Sequence, residues 1–436
     1  MTLSLGIDVG TSGVRTAVME GRTLLSMARA NHPHQDPSRI DANGWWAAVE
    51  RCLMTQISAI KDLDIDPKSI RRIAADGTSG SMVLTDLNLS PVSPALMYNS
   101  KGFDAEAAKI DALVPGEHIT KGSNSALARA MRLVSHASST PTYLLHQADF
   151  IAAKLIGQGG HSDFNNALKI GFDPEQEVWP NWIEQVVKPN ILPKIHNPGT
   201  PLAQISTSMA RHFGFATDVT IHAGTTDSIA AFLASAPIEE GAAVTSLGST
   251  LAIKLLSARR IDDPSVGLYS HRLGELWLVG GASNTGGAVL KKFFSDDELT
   301  TLSKDIDPNQ PLGLNYYPLI EPGERFPINN PKMMPVITPR PKSDTAFLQA
   351  LFEGMAAIEA SCFNEIKVRG GPAITQLFTA GGGAKNDKWT AIRARFLNQE
   401  PSIPEFCEAS IGVAMLAGEE EKFCNASGGR IKRKLY

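Results

Sequence analysis

Leu3-Ser4-Leu5-Gly6-Ile7-Asp8-Val9-Gly10-Thr11-Ser12-Gly13-Val14-Arg15-Thr16-Ala17-Val18 decides how the rest of the chain is read. An apolar run ends in an aspartate, a turn of Gly, Thr, Ser and Gly follows, and a second apolar run comes after it. Apolar runs flanking such a turn form a strand–turn–strand unit. The turn can gather backbone N–H groups and two hydroxyls around one point, a concavity that suits an anion such as phosphate. Asp8 repels a phosphate, so its place would be nearby, on a Mg2+ ion or a sugar hydroxyl. Short glycine motifs also occur in hairpins whose turn is merely solvated. Both readings stay open at this point.

The chain has 436 residues, more than one hydrophobic core ordinarily organises, so two large domains are expected. Hydrophobic residues make up 43% and charged residues 20%, the balance of a globular protein in water. A net charge of −4 offers no basic surface to hold nucleic acid by counterion release. The basic run Arg430-Ile431-Lys432-Arg433-Lys434 reads as a solvated end. The four cysteines (Cys52, Cys362, Cys407 and Cys424) show no metal-type spacing and read as free thiols in a reducing compartment. No secretory signal pattern and no apolar run of bilayer length is seen, so a cytoplasmic protein without a membrane partner is expected.

Along the chain, strands recur that end in polar glycine turns. Residues 1–40 are strand-rich, and a helix follows with Trp45, Val49, Leu53 and Ile57 on one face. Its two tryptophans read as core anchors. Ile70–Ala75 is a buried strand leading into Asp76-Gly77-Thr78-Ser79-Gly80-Ser81, the end of a strand where α/β proteins place ligands. Asp104–Leu155 reads as helical, broken near Pro115 and Pro141. Asp163–Gly171 is polar, with Lys169 among uncharged neighbours, a lysine that can point at a ligand or simply lie at the surface. Val219–Ala223 is a strand leading into Gly224-Thr225-Thr226-Asp227-Ser228 and a small-residue helix.

The second half opens with Gly241–Lys254, which repeats the first design: apolar strand, Gly248-Ser249-Thr250 turn, apolar strand. Two such hairpins, one in each half, are the main organisational signal. A boundary near Pro237 gives expected domains of 1–234 and 235–436, with the last helix, 409–417, free to pack back on the first domain. Gln376–Ala380 is a strand followed by Gly381-Gly382-Gly383-Ala384-Lys385-Asn386 and a helix. There a helix N-terminus and bare glycine backbone favour a phosphate or the close approach of a flat base. Trp389 has a ring that can stack on adenine and equally reads as ordinary helix packing.

Turns of this kind in both halves fit an α/β protein that closes two domains on its substrates and transfers a phosphoryl group. That chemistry needs a base or orienting group for the acceptor hydroxyl, Mg2+, and donors around the phosphates. Asp227 is the best base candidate, and helix capping is its competing reading. The two are compatible, because a helix N-terminus keeps an aspartate ionised.

Gly6-Ile7-Asp8-Val9-Gly10-Thr11-Ser12, Ala223-Gly224-Thr225-Thr226-Asp227, Ser246-Leu247-Gly248-Ser249-Thr250 and Ala380–Asn386 together resemble the FGGY carbohydrate kinases, of the actin/hexokinase/Hsp70-type ATPase superfamily. The motifs fall in the family's order over nearly the whole chain. The resemblance implies two ribonuclease-H-like domains with an interdomain cleft for ATP and sugar, and transfer of the ATP γ-phosphate to a terminal sugar hydroxyl. It makes Asp227 the catalytic base, and Asp8 and Asp227 contacts to sugar and Mg2+. Thr11 and Ser12 fall in the first phosphate loop and Gly248, Ser249 and Thr250 in the second. Gly382, Gly383 and Asn386 fall in the adenosine loop, with Trp389 beside them.

Within the family the chain is similar to a compact ribulose/xylulose kinase-like group of cyanobacteria and plants. Asp76-Gly77-Thr78-Ser79-Gly80, Asn166-Ala167-Leu168-Lys169 and the run 224–235 carry that likeness, which implies sugar contacts at Ser79 and Lys169 and D-ribulose as substrate. Typical xylulokinases carry Gln-Met-His in the substrate loop, whereas this loop reads Ser79-Gly80-Ser81-Met82-Val83. A family segment reading Ser-Leu-Ala-Lys-Leu-Trp is here Ser125–Met131, with Arg129 for the lysine and Met131 for the tryptophan. Another ketose or polyol, D-xylulose included, is the alternative substrate. A non-catalytic sensor or a client-binding ATPase is a different class of reading. Retained Asp8 and Asp227 count against the sensor, and the lack of an added substrate domain counts against the ATPase. A monomer and a homodimer are both open.

Overall fold

The computed structural model describes residues 3–36 and 39–418; the basic run 430–434 and Cys424 lie outside the described residues. Within the described residues the chain divides into two compact units. Residues 3–234, 271–275 and 408–418 form the first, and residues 235–270 and 276–407 form the second.

The first unit opens with an antiparallel meander of β1 (Leu3–Val9), β2 (Gly13–Glu20) and β3 (Thr23–Asn31). β1 is buried along its whole length, as a continuous apolar run in a central strand demands. Helix α1 (Ala42–Lys61) starts at Asp41, whose carboxylate accepts the Asn43 N–H. It buries Trp45, Val49, Leu53 and Ile57, the face its spacing predicts. Trp45 meets Phe150 edge-on at 6.2 Å, and Trp46 meets Phe213 at 6.4 Å, so both are core anchors.

β4 (Ile70–Gly77) runs parallel to β1, and β5 (Met82–Thr85) follows its terminal turn. Helices α2 (Asp104–Leu113) and α3 (Ala126–Ser135) come next. The helical reading up to Leu155 fails beyond them. Tyr143–His146 is a strand, β6, antiparallel to β5, and only then does α4 (Gln147–Ile156) begin. Four residues are too few to display a period, and here the neighbouring strand takes up their backbone groups. β7 (His161–Asp163), α5 (Phe164–Leu168), β8 (Lys194–His196), β9 (Pro201–Gln204), α6 (Thr207–Phe213), β10 (Thr220–Thr226) and α7 (Asp227–Ser235) complete this stretch. The main sheet has six strands in the order β3-β2-β1-β4-β10-β9, which sets the ends of β1, β4 and β10 side by side.

The second unit is built on a five-stranded sheet ordered β13-β14-β12-β11-β15. Its strands are β11 (Ala242–Leu247), β12 (Leu251–Ser257), β13 (Tyr269–Leu273), β14 (Leu276–Ser283) and β15 (Gln376–Ala380). Helices α8 (Gly287–Phe293), α9 (Asp296–Lys304), α10 (Asp344–Val368) and α11 (Asp387–Leu397) accompany it. A buried ion pair locks these layers. Arg393 on α11 grips Glu359 on α10 through two bonds of 2.6 and 2.7 Å, and it donates to Thr379 on β15 at 3.0 Å. Removing one partner of such a pair costs roughly 3–5 kcal/mol, because the other is left buried and charged.

Contrary to the sequence reading, α10 is long and apolar enough to cross a bilayer by length and composition. Its apolar stretch is 78% buried inside the protein, the position of a core helix. The final described helix, α12 (Ala409–Gly418), packs on β1, β2 and β4 of the first unit. The approach to β1 is close: a Cβ on Gly6 would sit 2.0 Å from the Ser410 carbonyl oxygen, so only glycine fits there.

Candidate active site

The register of the first sheet brings acidic residues together. Asp8, near the end of β1, lies opposite Asp76 on β4, and Asp76 lies opposite Thr225 on β10, two residues before Asp227. Arg15, opposite Asp8 across the hairpin, donates to its carboxylate at 3.2 Å. Burial raises the Asp8 pKa, and Arg15 pulls it partly back. Asp76 is completely buried, and neither of its carboxylate oxygens meets a donor from another residue. Burial, then the charges of Asp8 and Asp227, push its pKa well above the carboxylate range. Asp8 and Asp76 thus form a buried carboxyl pair in which both pKa values are raised. Asp76-Gly77 closes β4 much as Asp8-Val9-Gly10 closes β1, and the sequence reading placed Asp76 in a ligand-bearing turn without assigning it a role of its own.

Asp227 is the first residue of α7, half-buried, and its carboxylate accepts the Ser228 N–H at 2.6 Å. It thus sits inside the first turn of the helix, where the dipole favours its negative form. The β10 end is tied to the segment carrying Lys169: Asn165 of α5 donates to Thr225 at 3.1 Å. Asp163 holds α5 by accepting the N–H groups of Asn165 and Asn166 and the side-chain amide of Asn166. Lys169 follows directly and is half-buried. Ser79, in the turn after β4, is half-buried between residues that are buried.

Thr11 and Ser12 are exposed at the tip of the β1–β2 hairpin, which is closed by a bond from the Gly10 N–H to the Gly13 carbonyl. The matching hairpin of the second unit exposes Gly248, Ser249 and Thr250. Its carbonyls accept the first N–H groups of α8, Gly287 to Gly248 at 2.9 Å and Ala288 to Ser249 at 3.1 Å.

A cavity of about 990 Å3 in the second unit is lined by Gly248, Ser249, Gly382, Gly383, Asn386 and Trp389; Thr250 does not line it. Lys291, Lys292, Lys304, Lys385 and Lys388 also stand on its wall, which makes it basic. The sequence reading missed these lysines, which come from three separate segments that only the fold assembles. Asn386 caps α11 through the Trp389 N–H and donates to Ser303 at 2.8 Å. Trp389 is buried and stacks on Phe352 at 5.0 Å with planes 6° apart, so one face of its ring is taken by core packing.

Among the described residues no group of three His, Cys, Asp or Glu side chains is arranged to hold a metal ion by itself. A Mg2+ ion needs no such group where one or two carboxylates hold it and phosphate oxygens and water fill its other positions.

Residues 243–419 match the C-terminal domain of the FGGY family of carbohydrate kinases. That stretch is less than half of the chain, and over it the chain is similar to the carbohydrate kinases of that family. The xylulose kinase of Staphylococcus xylosus is 24% identical over 98% of this chain and 92% of its own length. The gluconokinase of Bacillus subtilis is 22% identical over 95% of this chain and 86% of its own. The solved structure of xylulose kinase from Rhodospirillum rubrum superposes with a TM-score of 0.83 at 20% identity, covering 95% of this chain and 89% of that one. That likeness shows the two-domain actin-like ATPase fold.

Proposed function

We propose that the protein transfers the γ-phosphoryl group of ATP to the terminal hydroxyl of a ketopentose, D-ribulose giving D-ribulose 5-phosphate. The observation that carries the reading is the acidic cluster at three adjacent strand ends, with Asp8 paired to Asp76 and Asp227 at the start of α7 near enough for its charge to raise the Asp76 pKa. Asp227 accepts the proton of the sugar hydroxyl as its oxygen bonds to the γ-phosphorus. The bond from that phosphorus to the β–γ bridging oxygen breaks, and ADP leaves. Asp8 and Asp227 hold Mg2+, which supplies charge neutralisation on the phosphates when bound. Asp8, Ser79 and Lys169 orient the sugar. Thr11 and Ser12 in one hairpin, and Gly248, Ser249 and Thr250 in the other, donate to the phosphates. Gly382, Gly383 and Asn386 accommodate adenosine in the basic cavity, with Trp389 packed into its wall. A cytoplasmic location fits the free, buried thiols of Cys52 and Cys362.

D-ribulose is favoured over D-xylulose by the substrate loop, which lacks the Gln-Met-His of typical xylulokinases. D-xylulose is the second reading, favoured by the names of relatives such as that of S. xylosus. A coupled ADP-release assay over D-ribulose, D-xylulose, L-ribulose, erythritol and D-gluconate, with a no-sugar control, tests both. The reading expects the highest kcat/KM on D-ribulose and little release without sugar. Equal release with and without sugar would remove the sugar kinase reading, and a preference for D-xylulose would replace the first substrate by the second.

A further inference from the structure

The turn after β4 is held more firmly than a surface loop needs to be. Thr78 bonds to Ser81 at 2.6 Å and, through both its N–H and its hydroxyl, to the side-chain oxygen of Gln147 at 3.0 and 2.8 Å. Ser81 accepts the Tyr98 N–H at 3.0 Å, and its carbonyl accepts the Gln147 N–H at 2.9 Å. Gly80 takes φ +81°, a left-handed conformation that costs glycine little. The last constraint comes from Arg129 on α3, the arginine found where the family segment has lysine. Its Nε donates to the Gly80 carbonyl at 3.0 Å, and its Nη1 donates to the Asn124 carbonyl at 3.0 Å.

Arg129 is an unusual group to bury. It is only 4% exposed, and no carboxylate pairs with it among the described residues. A buried charge without a counterion is costly and persists where its hydrogen bonds perform a task. Here the planar fork spans two carbonyls from different segments, Gly80 in the substrate turn and Asn124 just before the Ser125 cap of α3. A lysine, one point donor on a flexible stem, cannot fix both in the same way. The outcome is a turn in which Thr78, Gly80 and Ser81 are buried and Ser79 alone is half-exposed, its hydroxyl without a hydrogen bond among the described residues.

We infer that Arg129 is a positioning residue for sugar selection: by clamping the Gly80 and Asn124 carbonyls it fixes where the Ser79 hydroxyl is presented, and so it governs sugar KM and sugar preference while leaving the nucleotide half of the reaction alone. This rests on the proposed sugar contact at Ser79, and three variants keep the two apart. Ser79→Ala tests the contact. Arg129→Met removes both clamp bonds, and Arg129→Lys restores one donor. Each is assayed for kcat, sugar KM and ATP KM on D-ribulose and D-xylulose, with thermal unfolding as a folding control.

The expected result is a sugar KM raised about tenfold or more in Ser79→Ala and Arg129→Met. Arg129→Lys should fall between wild type and Arg129→Met. The ratio of kcat/KM for the two sugars should change, with kcat and ATP KM within about threefold of wild type. If Arg129→Met does not fold, the comparison passes to Arg129→Lys and to Gly80→Ala, whose Cβ would meet Nη2 at 2.8 Å and disturb the same clamp. A raised sugar KM in Ser79→Ala with unchanged sugar KM and preference in the folded Arg129 and Gly80 variants would overturn the positioning role. Parallel changes in kcat and ATP KM in the Arg129 variants would overturn it as well. An unchanged sugar KM in Ser79→Ala would instead remove the contact on which it rests.

Discussion

The two hairpins share a strand, glycine turn and strand pattern, with turns spanning 10–13 and 248–250, and they differ in charge at one strand position. In the first unit the position two before the turn glycine is Asp8, with Arg15 across the hairpin and Asp76 on the parallel neighbour. In the second unit the same position is Ser246, facing Ala252 and Ala380. One strand end is thus a buried acid pair and the other is small and uncharged. Burial then sharpens the contrast, because desolvation disfavours the charged carboxylate and raises the pKa of both acids. The first unit concentrates negative groups around Asp227, and the second lines its cavity with five lysines. The difference teaches that the glycine turn sets the backbone, while the residues flanking it decide whether that backbone serves acid–base work or anion binding.

Asp227→Asn should break the contrast most severely. It removes the proton acceptor and keeps the side-chain volume, so turnover should fall by about 10²–10⁴-fold with ATP affinity nearly unchanged. Undiminished turnover in a rapid-quench or ADP-release assay would transfer the base role elsewhere. Next in size is Gly382→Val on the basic side. No atom lies within 4 Å of a Cβ built there, so the fold should tolerate the change while the branched side chain intrudes on the cavity. ATP KM should rise roughly tenfold with the unfolding temperature unchanged. Unchanged nucleotide affinity would take Gly382 out of the adenosine site.

Asp76→Asn sharpens the acidic side through stability. In wild type the Asp76 pKa is raised in the folded state above the ordinary 3.8, so the folded chain binds this proton more tightly than the unfolded chain and the group lowers stability as pH rises from 3.8 through the raised folded pKa. Asparagine cannot ionise in either state and can still donate to Asp8. The ligand-free variant should therefore melt higher than wild type at pH 7, with the gap closing toward pH 4. A gap that widens on acidification would contradict the raised Asp76 pKa. The smallest effect on activity is expected of Trp389→Phe, which keeps a ring against Phe352: ATP KM should stay nearly unchanged, while the smaller side chain should cost about 1–3 kcal/mol of stability. A large rise in ATP KM without loss of stability would show that the indole contacts the nucleotide base.

Much of this was readable beforehand, and the exceptions have causes. The hairpins, α1 and the strand-end aspartates Asp8 and Asp227 announce themselves through period and turn chemistry. Asp76 did not, because its importance lies in lateral register with Asp8, which a linear pattern does not contain. β6 is four residues long and takes its identity from β5. The α10 sequence has the length and apolarity of a membrane span, and its burial settles which solvent it faces. Trp389 carried two readings of equal standing, and Phe352, 37 positions earlier, is the neighbour that shows its packing role. The lysines of the second cavity lie far apart in the chain and meet only when α8, α9 and α11 are assembled.

Glycine at position 6, pressed against the Ser410 carbonyl, bears on how the protein is made. The ribosome releases β1 before any of the second unit and α12, the helix that covers it, only after the whole second unit has emerged. Until then an apolar sheet face stands open on a nascent chain, a surface of the kind that invites aggregation or a chaperone. The first unit is begun first and finished last.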